Sequence, residues 1–325
     1  MRKAMLGPVA IALTVAVAAG GCGKLNELKA RKTFKDANVL YQQQEYKKAA
    51  SKYEETITLS PDIRIPCEGG ECSAAAHFYL ANSYDNLYKP ARQGEADNDA
   101  NMQKAVEHYR IAADKEENPK MKRLSLQYLA AAYGPDKLAQ PDEAEAAYRR
   151  IIEISPGDPE NYFALAKIHE DAGKYEEAEA ALQKAKEMRP DDPQVYATIA
   201  GFYNRQGEFD KTIEALRERA VREPKNPEAY QVLAAFFWEK AYKDFRLNAK
   251  DKAKYVDDGL KAADQALGLN KDYLEALAFK NLLLREKAKL TKDRKEYDAL
   301  IAEADRLQQR AVELQKKKTA GVGPN

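Results

Sequence analysis

The chain is short of the residues from which reactive centres are built. Among 325 residues there are 3 cysteines, 3 histidines and 1 tryptophan. No HExxH, GxSxG or glycine-rich phosphate loop occurs, and Gly69-Gly70 is an isolated pair with no strand expected before it and no lysine after it. Charge of one sign is missing too. Lys+Arg number 53 against 52 Asp+Glu, which argues against nucleic acid as the main partner, because phosphate binding needs a clustered surplus of cations. What is present is a chain 44% hydrophobic and 32% charged. It is too apolar to be disordered and long enough for two compact domains or one extended array. Nineteen Tyr against 9 Phe suggest many half-buried aromatics rather than one thick core.

The first 22 residues differ from the rest. Arg2 and Lys3 precede an uncharged apolar run from Ala4 to Ala19, which ends in Ala19-Gly20-Gly21-Cys22. A positive start, a short apolar core and small residues are the parts of an export signal. The run falls below the roughly 20 residues that span a bilayer, and Pro8 weakens it further as a permanent helix. Small residues directly before a cysteine resemble the bacterial lipoprotein signal. That resemblance implies cleavage before Cys22 and lipid attachment to it, and Gly23 in place of Asp favours the outer membrane. Ala19 stands where that family usually has Leu, so ordinary cleavage after Ala18 and an uncleaved anchor remain as alternatives.

From Tyr148 onward the sequence matches itself at a spacing of 34. Pro156, Pro190 and Pro224 fall on that interval, as do Pro159, Pro193 and Pro227. So do Tyr162, Tyr196 and Tyr230, then Leu165, Ile199 and Leu233, and Ala166, Ala200 and Ala234. Asp158-Pro159, Asp192-Pro193 and Asn226-Pro227 each place a capping side chain before a proline at the first helical position. Gly173 and Gly207 supply turns, and Ala178, Leu182 and Ala185 then recur at helical spacing. This pattern resembles the tetratricopeptide repeat, a pair of antiparallel helices.

Earlier units are recognisable from Ala37, Tyr46, Ala49, Tyr53 and Pro61; from Leu80, Ala81, Tyr84, Ala105, Tyr109 and Ala112; and from Leu129, Ala130, Tyr133, Ala144, Tyr148 and Pro156. A degenerate seventh follows from about Ala266 to Leu290. The resemblance implies an all-α, right-handed superhelical solenoid of about six to seven such pairs, each burying its apolar face against its neighbours. The expected organisation is a signal peptide over 1–21, a lipidated linker over 22–30, the solenoid over 31–290, a C-terminal capping helix over 291–317 and a frayed tail over 318–325.

Two units carry insertions. The second has 20 residues from Asp85 to Lys104, and the sixth 21 from Trp238 to Asp258, where the fourth has 8 from Glu170 to Glu177. Either both helices simply run longer with their aromatics packed between them, or the insertions form a docking surface. In the sixth unit the candidates for docking a protein or anionic headgroups are Tyr242, Lys243, Phe245, Arg246 and Lys250. In the tetratricopeptide family the first helix of each unit lines a concave groove. Carried over by motif position, the groove candidates are Phe34, Asn38, Tyr41, Phe78, Asn82, Asp85, Gln127, Phe163, Lys167, Asn204, Arg205, Gln231 and Trp238. Phe34 and Phe78 stand where the family's clamps for acidic tails place cations, so such a clamp is rejected. Aromatics interleaved with Asn suit an extended peptide, unless some of these Phe pack inside the array.

His77, His108 and His169 all fall in repeat helices, where packed or solvated roles are the expectation and no metal or cofactor is implied. Asp97-Asn98-Asp99 resembles calcium-loop chemistry only weakly, without the glutamate that closes an EF-hand. Cys67 and Cys72 flank Gly69-Gly70 in an added loop between the first two units. Ser73 rather than His follows Cys72, which excludes haem attachment; no second ligand pair supports zinc; and the CxxC spacing of a redox couple is absent. If Cys22 is exported and lipidated, the other two are an even pair in an oxidising compartment, and a Cys67–Cys72 disulfide is expected. The reading is a non-enzymatic, lipid-anchored scaffold facing the periplasm. It would bind envelope proteins or extended peptides, with assembly of a secretion, pilus or outer-membrane complex as the kind of role. The alternative is an enzyme or small-ligand protein with its site in the insertions. The client and the oligomeric state are not readable from the sequence.

Overall fold

A computed structural model describes residues 12–319 and shows an all-α chain of helix pairs. It divides into two compact bodies after Met188. The first contains α1 (Ala12–Gln42) with α2 (Tyr46–Leu59), α3 (Ala75–Leu87) with α4 (Ala96–Lys115), α5 (Pro119–Ala132) with α6 (Pro141–Ile154), and α7 (Pro159–Asp171) with α8 (Tyr175–Met188). The second contains α9 (Pro193–Arg205) with α10 (Phe209–Arg222), α11 (Pro227–Lys243) with α12 (Ala249–Leu269), and α13 (Leu274–Ala288) with α14 (Arg294–Thr319). The expected capping helix is α14, which lies along α13 as the second member of a seventh pair. Arg285 reaches Asp305 at 2.7 Å and Arg310 reaches Asp272 at 2.6 Å across that pair.

The helix α1 continues unbroken through the expected linker. The signal-peptide and lipidation expectations at residues 1–21 and Cys22, and the end of the tail, lie outside the described residues and side chains. Among the described residues no helix is long and apolar enough to cross a membrane.

The repeated columns each have a local cause. Asp158, Asp192 and Asn226 accept hydrogen bonds from the second helical N–H beyond them, at 3.2, 2.9 and 3.0 Å. These bonds satisfy donors that a helix start leaves open, and the proline next to each cap has no N–H to satisfy. Asn118-Pro119 repeats the device at α5, where Asn118 accepts from Lys120 and Met121. Gly173 and Gly207 sit at φ +72° and +74° in the turns between paired helices, a conformation glycine adopts without a Cβ penalty. The proline and tyrosine columns belong together: the Tyr196 hydroxyl donates to the Pro190 carbonyl at 2.7 Å. The abundance of tyrosine has a related reason. Tyr53 and Tyr109 are fully buried on α2 and α4, and their hydroxyls donate to Asn38 at 2.6 Å and Asp85 at 3.3 Å. Burial raises the pKa of both phenols, so they remain neutral donors.

Both insertions turn out to be longer helices. In the second pair, α4 gains its first turns, preceded by a short 3-10 turn at Pro90–Arg92. Asn98 is buried there and closes that turn, donating to the Lys89 and Arg92 carbonyls at 3.1 and 3.0 Å. This hydrogen-bonding role accounts for the acidic run that resembled a calcium loop. In the sixth pair, α11 and α12 have 17 and 21 residues against 13 and 14 for α9 and α10.

The cysteine loop is a β-hairpin, β1 (Ile65–Cys67) against β2 (Gly70–Cys72), antiparallel and closed by a Cys67–Cys72 disulfide. A short strand therefore does precede Gly69-Gly70, contrary to the sequence expectation. Both glycines have positive φ, as the tight connection demands. The hairpin is held from outside as well. Asn118 donates to the Glu68 carbonyl at 3.2 Å, and Lys120 and Glu117 pair with Glu68 and Arg64. Beside it lies Glu116, a buried carboxylate. Its oxygens accept from the N–H groups of Ser73, Ala74, Glu117 and Asn118 at 2.9–3.0 Å. One acidic side chain thus caps α3 and shapes the α4–α5 corner.

His77 on α3 and His108 on α4 meet with their Nδ1 atoms 3.1 Å apart, one donating to the other. Burial, then the charge of His108 and of Lys115, pulls the His77 pKa down to about 4. His108 is lowered as well, by burial and Lys104, against the opposing fields of Glu107 and Glu54.

Two consequences follow for stability. Glu116→Ala strands several buried donors and should cost about 3 kcal/mol. Loss of the disulfide, which closes a short loop, should cost about 2 kcal/mol at most. Urea unfolding of the Glu116→Ala and Cys67→Ser/Cys72→Ser variants compares them directly, and a larger loss in the cysteine variant would contradict this ranking. For the histidines, the unfolded chain binds protons near pH 6.5 and the folded His77 only near 4, so its contribution is intact above pH 6.5 and is lost as pH falls toward 4. Between pH 7 and 4 the urea midpoint of His77→Gln should therefore fall less than that of the native chain; equal falls would refute the assignment.

Candidate functional site

In the first two pairs the first-helix positions expected to line a groove are filled from within. Phe34 and Phe78 are each only 4% exposed. Phe34 packs edge-on against Tyr53 and Tyr79, and Phe78 against Tyr79 and Tyr128. The expectation that these two rings face a peptide is corrected: neighbouring tyrosines cover them, because burying a phenyl ring is worth more than exposing it. Asn38 is bound by the Tyr53 hydroxyl. Asn82 is buried and accepts from both the Tyr41 hydroxyl and Asn86. Asp85 holds Lys137 at 2.5 Å as well as the Tyr109 hydroxyl. Tyr41, Asn82 and Asp85 are thus brought together as a polar seam that ties pair one to pair two and pair two to pair three. Gln127 on α5 is half-buried.

The surface opens between the third and fourth pairs. A cleft of about 410 Å³ is lined by Ala131, Tyr133, Pro135, Tyr148, Ala164 and Ile168, with Lys167 and Asp171 at its edge. Those two are ion-paired at 2.5 Å. The cleft exists because Ala131 and Ala164 occupy places where larger side chains would fill the gap, and because the turn before α6 is opened by Ala139 at φ +52°. Tyr133 is buried with its hydroxyl shielded from solvent, and the Arg110 guanidinium lies over its ring at 5.6 Å. Burial raises that phenol's pKa, so it is neutral and able to donate. Of the groove residues expected from sequence, only Lys167 belongs to this cleft; Phe163 is half-buried on the same helix. The other lining residues were missed because small side chains carry no chemical signal of their own. A run of Ala131, Gly134 and Pro135 at groove positions was the available clue.

In the second body a cleft of about 400 Å³ lies where α11 overruns its neighbours. It is lined by Asn204, Phe209, Phe236, Lys240, Lys243, Phe245 and Arg246. This joins Asn204 from the expected groove with Lys243, Phe245 and Arg246 from the expected docking insertion, two sets that were separate in the sequence. Asp244 accepts from Arg246 and Lys240, and these bonds hold its carboxyl well below the usual carboxylate range. Trp238 turns away from the cleft residues to stack on Tyr242, ring centroids 5.1 Å apart, and touches Phe279. Arg205 and Lys250 are exposed and Gln231 half-buried. Elsewhere His169 is buried 3.7 Å from Glu145. No group of three or more metal-ligating side chains occurs among the described residues.

Comparison with known proteins agrees with this architecture. Residues 137–201 match the tetratricopeptide repeat family. No curated protein matches the sequence. Among solved structures, the chain is similar to the C-terminal part of a tetratricopeptide-repeat-containing protein from Cytophaga hutchinsonii, at 16% identity and a TM-score of 0.52. That likeness covers 86% of this chain and 98% of the other. Weaker likenesses are to the MamA protein (17% identity, 62% and 97% covered, TM-score 0.42). Another is YrrB, described as a tetratricopeptide-repeat protein with an unusual peptide-binding site (19% identity, 66% and 94% covered, TM-score 0.40). The match runs from α6 through α7 and α8 into α9, and the chain has the fold of a tetratricopeptide-repeat array.

Proposed function

We propose that the protein is a lipid-anchored scaffold that binds other proteins of the bacterial cell envelope through extended segments. The observation that carries this is the cleft between the third and fourth pairs, an apolar recess walled by Ala131, Tyr148, Ala164 and Ile168 with the Lys167–Asp171 ion pair at its edge. An apolar side chain of a partner would enter the recess beside the Lys167–Asp171 pair. Covering the apolar wall removes it from water, which favours the occupied state. The polar seam of Tyr41, Asn82, Asp85 and Lys137 keeps the preceding first helices in place, so the recess is presented without reorganisation. Anchoring at Cys22 and an outer-membrane address facing the periplasm rest on the resemblance of the N-terminus to a lipoprotein signal. The Cys67–Cys72 disulfide is compatible with an oxidising compartment.

Ala131 is exposed on the cleft wall, so Ala131→Trp should fill the recess without disturbing the core. Affinity purification from envelope extracts should recover partners with the native chain and about tenfold less with Ala131→Trp, at unchanged thermal stability. Equal recovery would show that partners bind elsewhere. For the anchor, the native protein should fractionate with membranes and carry acyl mass at Cys22, and Cys22→Ser should be released to the soluble fraction; an unacylated mature protein would refute it.

A further inference from the structure

The turn that ends α11 is anomalous in a way the scaffold reading does not use. Phe245 is 94% exposed and Tyr242, one helical turn before it, is 56% exposed. Single exposed apolar residues are ordinary, but these two rings lie three residues apart at the end of the one first helix in this body that carries a long C-terminal extension and ends in an insertion. Trp238 stacks on Tyr242 from within and Lys289 lies over the same ring at 5.9 Å. The surrounding charge is positive: residues 238–254 hold six cations against three carboxylates in a chain that is otherwise balanced. Lys243 and Arg246 pair locally with Glu239 and Asp244, yet their side chains stay 65% and 79% exposed.

We infer that this turn is an interfacial contact for an anionic lipid bilayer, with Phe245 and Tyr242 entering the headgroup region while Lys243, Arg246 and Lys250 meet lipid phosphates. Aromatic rings beside lysines and arginines are the composition that settles at a membrane–water boundary. Each cation near an anionic surface adds attraction that salt screens. A protein partner would need a pocket matched to a protruding ring; a bilayer needs none. One or two rings and a few cations hold a surface only weakly, so the turn acts as a second attachment that orients a protein already tethered or concentrated there. The inference does not depend on lipidation of Cys22 or on the cleft near Tyr133, and its readout is separate from both.

Trp238 is the only tryptophan in the chain and lies against Tyr242, so its fluorescence reports this turn and no other segment. The full-length protein is mixed with vesicles of phosphatidylglycerol and phosphatidylcholine carrying brominated acyl chains, and with vesicles of phosphatidylcholine alone. Quenching of Trp238 is expected with the anionic vesicles, is abolished by about 0.5 M salt, and is about tenfold weaker in lipid titrations of Phe245→Ser. The triple variant Lys243→Gln/Arg246→Gln/Lys250→Gln should weaken it similarly, and because these side chains are exposed, circular dichroism should remain unchanged. Three results overturn the inference: co-sedimentation without Trp238 quenching, which assigns the binding to another segment; quenching unaltered in Phe245→Ser; or protection of Trp238 from acrylamide by delipidated envelope proteins and not by vesicles, which assigns the turn to a protein.

Discussion

Everything in this molecule depends on how closely two helices of a pair can approach. Ala37, Ala81, Ala130, Ala166, Ala200 and Ala234 on first helices are all buried, as are Ala49, Ala105, Ala144, Ala178 and Thr212 on second helices. In the sixth pair the place is taken by Gly259, where an added Cβ would lie 2.8 Å from Leu283 and 3.1 Å from Phe237. Small side chains at the crossing let the larger ones on either side, Leu80, Tyr109, Ile151 or Leu277, fill the space between pairs. A helix pair that could not close in this way would leave apolar faces that no neighbour can reach.

With the crossings set, the remaining positions decide what each surface does. At the first-helix faces of the first three pairs the sequence offers aromatics and amides, and these find each other: Phe34 with Tyr53, Phe78 with Tyr128, Tyr41 with Asn82. The same face becomes a recess where the residues shrink to Ala131 and Ala164. Openness therefore arises from a lack of bulk rather than from conspicuous residues. In the second body the recess has another origin, an overlong α11 whose end carries charge and rings beyond the shared helix length.

The α4–α5 corner shows the limit of reading locally. Two cysteines around a diglycine are conspicuous, and their pairing closes only a few residues of chain. Glu116 is inconspicuous in a run of acidic and polar residues, yet it gathers four backbone N–H groups, two from residues 42 and 43 positions earlier and two from the residues directly after it. Whether a glutamate lies on a solvated face or caps a distant helix depends on which chain ends arrive beside it, and no spacing rule encodes that. Likewise His77 and His108 read as unrelated helical residues until α3 and α4 pack and set their rings in contact.

By itself the sequence determined the class of fold and, in the regular units, the places where helices start and turn. Those are consequences of short-range physics: a proline after a capping side chain, a glycine in the turn, small residues at a fixed period. It also determined which positions belong to first helices, and so where a binding surface would have to be sought. Only the tertiary structure decided which of those positions face solvent. Phe34 and Phe163 occupy the same place in the motif, yet one is sealed by tyrosines from the next helices and the other is not. Exposure is set by the bulk of side chains arriving from other helices, which the motif around a residue does not contain.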